Sequence, residues 1–190
     1  MQHQLSSMPP GWRHHLWLAL LVAASVAFSL GFACAAPFAA FAAAAALTLS
    51  RWNALLLIGA VWLANQIVGY AVLGYPWTAN SLAWGIALGF VAVLATLAAR
   101  GAALRFEGAD RVVVPLATFL AAFAVYEGAL FAVAVAMLGG TEDFAPAILG
   151  RIFAINAVAM VGLFVLNRVA VAVGLVATPG VRLSATERHT

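Results

Sequence analysis

Six apolar stretches, separated by short turns and almost free of charge, constrain this chain more than any other feature. They cover residues 16–33, 37–49, 54–73, 82–99, 112–138 and 147–166. A helix of about 20 apolar residues spans the roughly 30 Å hydrocarbon core of a bilayer. Five of the stretches reach or approach that length. The second is shorter and rich in alanine, with five consecutive alanines from Ala42, so a half-helix or re-entrant segment remains open there. Composition requires the same solvent. Of the 190 residues 66% are hydrophobic and 8% charged, against about 25% charged in soluble domains. A chain this apolar cannot cover its own surface with polar groups, so lipid is expected to surround most of it. The expectation is an all-α integral membrane protein, with six transmembrane helices in one compact bundle and a short second helix. The single transmembrane domain has its core at about 14–170, and polar cytoplasmic tails are expected at 1–12 and 176–190.

Charge placement orients the bundle. Basic residues beside short loops favour the cytoplasm. Arg13, Arg51, Arg100, Arg105, Arg111, Arg168, Arg182 and Arg188 fall on one side of a six-crossing arrangement. The alternate connections carry no charge or only Glu142 and Asp143. Arg151 is the exception. Both termini are therefore expected in the cytoplasm, in a bacterial inner membrane. Arg13, His14 and His15 followed by an apolar run and Ala33-Cys34-Ala35 also fit a cleaved leader, and a retained first helix is the preferred reading. The net charge of +3 comes from scattered arginines with no lysine, which gives no nucleic-acid patch.

Polar residues inside a bilayer each need a partner. Counted at about 1.5 Å per residue from the arginine-bearing side, Glu127 lies roughly 21 Å deep, Asn65 and Gln66 about 18–20 Å, Ser29 near 20 Å and Asn156 about 17 Å. Four helices thus place polar groups in one layer, where they either bind a ligand or hydrogen-bond helix to helix. Glu127 is the one acidic residue within a span and the strongest ligand candidate. Tyr70, Tyr75, Trp77 and Trp84 surround the third connection, either as an interfacial aromatic belt or as a lid over a flat or apolar ligand. Trp12, Trp17 and Trp52 fit a belt at the opposite face. Cys34 is the single cysteine. It reads as a small hydrophobe, with ligation of a soft metal centre the lesser alternative. No other metal ligand and no cofactor is expected. No Walker motif, His-Glu-x-x-His or Gly-x-Ser-x-Gly pattern occurs, so an enzyme is not expected.

Ala19, Ala23, Ala27 and Gly31 recur at four-residue spacing, so small residues line one face of the first helix and permit close helix approach. With the Ala-x-x-x-Ala stripe, the chain resembles the substrate-binding S components of energy-coupling-factor vitamin transporters. Other matching features are Pro37-Phe38 opening an alanine-rich short helix, Arg51 at a tight turn, the Asn65-Gln66 pair, an aromatic outer loop and Trp84-Gly85-x-x-x-Gly89. The resemblance implies capture of a vitamin or related cofactor precursor from the outer side and its passage inward. It also implies docking of Ala19, Ala23 and Ala27 on a transmembrane coupling subunit served by an ATPase. The acidic residue that several members carry at the end of the third helix is absent. The alternative is a structural or assembly subunit of a larger membrane complex, without a ligand of its own.

Overall fold

The structure is a computed structural model, and it describes residues 10–31 and 36–176. These residues form an all-α bundle of six helices: α1 (Pro10–Gly31), α2 (Phe38–Thr48), α3 (Arg51–Ala71), α4 (Ala79–Arg105), α5 (Val113–Val133) and α6 (Pro146–Ala172). A π-helical turn, Ala134–Leu138, prolongs α5, and a single 3-10 turn, Thr141–Phe144, leads into α6. Five helices are long and apolar enough to cross a membrane, and α2 is the shorter apolar one.

The helices outrun the apolar stretches. α4 continues to Arg105 and α6 to Ala172. Hydropathy marks where hydrocarbon ends, whereas backbone hydrogen bonding carries a helix on into the headgroup layer. At the other end of the chain α1 begins at Pro10, within the stretch expected as an N-terminal tail at 1–12. Residues 1–9 and 177–190 lie outside the described residues, as does Cys34.

The short α2 occupies the centre. It packs on α3, α4, α5 and α6, and Phe38 to Ala43, with Ala45 and Ala46, are buried. A helix that is apolar all round belongs inside a bundle, and alanine lets neighbours approach from every side. The others close a ring about it. α1 packs on α3, α3 on α4, and α4 on α5. α5 meets α6 through Phe119, Phe123 and Phe153, whose rings lie 5.0–5.5 Å apart across the two helices. Phe28 on α1 in turn reaches Phe41 on α2, centroid to centroid 6.3 Å.

At about 1.5 Å per residue, 11-residue α2 extends some 16 Å, roughly half the hydrocarbon thickness. One end lies in the interior of the bundle. The other is the turn into α3, where Leu49 is extended and the Ser50 hydroxyl accepts from the Asn53 amide at 3.5 Å. Arg100 on α4 donates to the Leu49 carbonyl at 3.2 Å, which fixes this turn against the bundle's arginine-bearing end.

Candidate functional site

Two of the expected polar residues, Asn156 and Glu127, lie at the level of the first turn of α2. Tyr126 stacks on Phe38 with centroids 5.7 Å apart, so the Tyr126–Glu127 turn of α5 stands level with the start of α2. From α6, the Asn156 side-chain oxygen accepts from the Ala40 amide at 3.1 Å, and its amide nitrogen donates to the Ile152 carbonyl at 3.0 Å. Ser29 on α1 donates to the Asn65 side-chain oxygen on α3 at 3.3 Å. All four polar residues are buried.

Their roles differ. The first amides of any helix lack intrahelical acceptors, and water normally satisfies them. α2 starts inside the bundle, capped only by Pro37, which offers no side-chain acceptor. Asn156 supplies one from another helix, so it holds α2 in place. Asn65 and Ser29 join α1 to α3. Glu127 is 8% exposed, and no side chain among the described residues donates to its carboxylate. Arg151 is exposed on α6 and forms no ion pair with it.

Gln66, Tyr70, Tyr75 and Trp77 assemble separately, at the α3–α4 connection. The end of α3 is closed by bonds from Leu73 to the Val68 carbonyl and from Tyr75 to the Gly69 carbonyl. Gly74, at φ +72°, turns the chain. The Tyr75 ring then lies directly against Gly69, in the space a Cβ would fill. Tyr70 packs on Tyr75 and Trp77 at 5.8 and 4.6 Å, and its hydroxyl bonds the Ser81 hydroxyl at 3.0 Å. Trp77 is 76% exposed, so one face of this cluster is open. Gln66 rests on Gly85, and its amide nitrogen is buried with no acceptor among the described residues. Trp84 is part-buried and approaches Gly140 in the α5–α6 connection.

Several contributors were not singled out by the sequence. Trp62 donates to the Gly85 carbonyl at 2.8 Å, and its indole occupies the space beside Gly89. The Gly85-x-x-x-Gly89 spacing, one helical turn apart, was the available signal that α4 accepts large side chains from α3. Ser81 had no signal beyond lying one turn into α4. Of the tryptophans expected in a belt at the arginine-bearing end, Trp12 and Trp52 are exposed. Trp17 instead faces the core at 3% exposure, because the register of α1 turns that position inward.

Ala19, Ala23, Ala27 and Gly31 all lie on the exposed face of α1. They do not pack the bundle internally, and α1 uses its other side against α3.

Two cavities stand out among the described residues. One is an apolar groove of about 250 Å³ between α3 and α4, lined by Gly59, Trp62, Ile86, Gly89, Phe90 and Val93. The other, at the arginine-bearing end, is about 330 Å³. Neither is lined by the residues expected to bind a ligand. In comparisons with known proteins, no family model, no curated protein and no solved structure matches the chain.

Proposed function

We propose that this protein captures a small vitamin-like solute at the outer side of a bacterial inner membrane and carries it inward. Glu127 carries the reading. A carboxylate deep in a membrane protein is costly unless it is paired or protonated, and here the bundle supplies no donor among the described residues. A solute with N–H groups or a positive charge would meet that need. The start of α2, a half-helix beginning in the interior, is the kind of element around which transporters build midplane sites. Gln66 and the Tyr70–Tyr75–Trp77 cluster would receive the solute from outside, with Trp84 beside them. Asn65 and Asn156 would hold the surrounding helices in register, and either amide retains capacity for a further hydrogen bond.

The resemblance to energy-coupling-factor S components supports the same reading and implies a separate coupling subunit and ATPase. The exposed Ala19–Ala23–Ala27 face is where such a subunit would dock. That exposed face also suits the second reading, a structural subunit of a larger complex, in which Glu127 would only join helices.

Uptake and melting temperature of Glu127→Gln and Glu127→Ala separate the two. Hydrogen bonds to charged groups contribute roughly 1.5–3 kcal/mol, so Glu127→Gln is expected to weaken solute binding by about tenfold or more. It should still fold, since a neutral amide is easier to bury than a carboxylate. Unchanged uptake in Glu127→Gln, with Glu127→Ala less stable, would assign Glu127 to helix packing.

A further inference from the structure

The antiparallel seam between α3 and α4 is built rung by rung, a large side chain of α3 against a small residue of α4. The Tyr70 hydroxyl bonds the Ser81 hydroxyl, Gln66 rests on Gly85, and the Trp62 indole fills the space beside Gly89. These residues recur at four-residue spacing along both helices. One turn further toward the arginine-bearing end the pattern stops. Gly59 stands on α3, Val93 on α4, and a Cβ added at Gly59 would meet nothing within 4 Å. The apolar groove of about 250 Å³ lies at this gap, walled by Trp62, Ile86, Gly89, Phe90 and Val93.

Depth and rim decide what can fill it. Gly59 comes eight residues after Arg51, the first residue of α3. The groove is therefore about 12 Å from that end of the helix, inside one leaflet's share of the roughly 30 Å hydrocarbon. Its lining offers no free polar side-chain group, since the Trp62 indole N–H is donated to the Gly85 carbonyl. Close approach of a second helix needs small residues along the contact. Here Leu56, Leu63, Ile86, Phe90 and Leu94 stand exposed on the two flanks and would hold a helix backbone off the groove floor. A single acyl chain is slender enough to pass between them. Left unfilled, the groove walls would forfeit dispersion contacts outright.

The helix ends supply complementary charge. Arg51 opens α3 and Arg105 lies in the last turn of α4, both exposed, and neither helix contains an acidic residue. Basic residues at a membrane surface attract anionic lipid. We propose that the α3–α4 groove seats one acyl chain of an anionic phospholipid from the leaflet at the arginine-bearing end, with Arg51 and Arg105 at the level of its phosphate. The chain supplies the large group that α3 lacks at Gly59 and completes the seam. The seat faces the bilayer and is independent of any solute carried by the bundle.

The test places the full chain in phosphatidylcholine vesicles with a trace of phosphatidylglycerol bearing a photoactivatable diazirine midway along one acyl chain. After illumination, adducts are mapped by peptide mass spectrometry. Val158, Val161 and Val165 on α6 are exposed to a degree similar to the groove rim, and they report ordinary lipid contact. A several-fold excess of adducts is expected on Trp62, Phe90 and Val93 over these α6 positions. Gly59→Leu fills the groove from α3 where an added Cβ meets nothing. It should melt no lower than the wild type, and the excess should disappear. The same diazirine chain on phosphatidylcholine, or Arg51→Gln with the phosphatidylglycerol probe, should each give a smaller excess. Even labelling of the groove and α6 in the wild type, an undiminished excess in Gly59→Leu, or an equal excess with the phosphatidylcholine probe would overturn the proposal. So would a disulfide-linked dimer of Phe90→Cys, made together with Cys34→Ser, since a second copy would then cover this face.

Discussion

Asn156 shows how differently two buried polar residues can serve one layer. Its oxygen replaces the water that would ordinarily cap the first turn of α2. Asn156→Leu keeps much of the volume but leaves the Ala40 amide unsatisfied, which costs about 1–3 kcal/mol. A matching loss of stability in detergent melting is the expected outcome. An unchanged melting point would show that the Ala40 amide finds another acceptor. Glu127, by contrast, receives no side-chain hydrogen bond among the described residues. Sequence depth counting expected both residues in the interior of the bundle, and both are buried there. It could not separate their roles, because the partner of Asn156 is a backbone amide, and a backbone amide leaves no mark in the sequence. Trp17 was misplaced for a related reason. Proximity to an interface is legible, whereas the direction a ring faces depends on neighbours that only the fold supplies.

Among the elements, α2 and α1 use alanine in opposite ways. The alanines of α2 are enclosed on all sides, while the Ala19–Ala23–Ala27 face of α1 is open. Composition alone does not distinguish them, and an alanine-rich 11-residue helix reads equally well as a peripheral half-span. Its central place follows from packing, since only small side chains let four longer helices converge. Ala42→Leu, at a position with 0% exposure, should therefore overpack the centre and destabilise the fold by about 1–3 kcal/mol. Ala23→Leu should alter stability by no more than about 0.5 kcal/mol while abolishing co-purification of a membrane partner from native membranes. Similar melting losses for both variants would contradict this division. The five long helices were readable from their apolar length alone, and only their ends, set by hydrogen bonding beyond the hydrocarbon, were not.

For the whole molecule, the arginine pattern and the central half-helix make one topology. α1 and the segment containing α2 must together cross and return, so that Arg13 and Arg51 share a side. A reporter joined after Arg105 should read cytoplasmic and one inserted near Glu142 external, and finding both on one side would end the six-crossing arrangement. Within that frame, the outer aromatic cluster, the polar residues around the start of α2 and the buried Glu127 carboxylate form the proposed route for a solute. The most direct test is mass spectrometry of small molecules retained by the purified full chain. The account predicts a non-lipid molecule bearing N–H or cationic groups, retained in near-stoichiometric amount by the wild type and depleted about tenfold or more in Glu127→Gln. Retention of nothing beyond lipid, or equal retention by the variant, would contradict it.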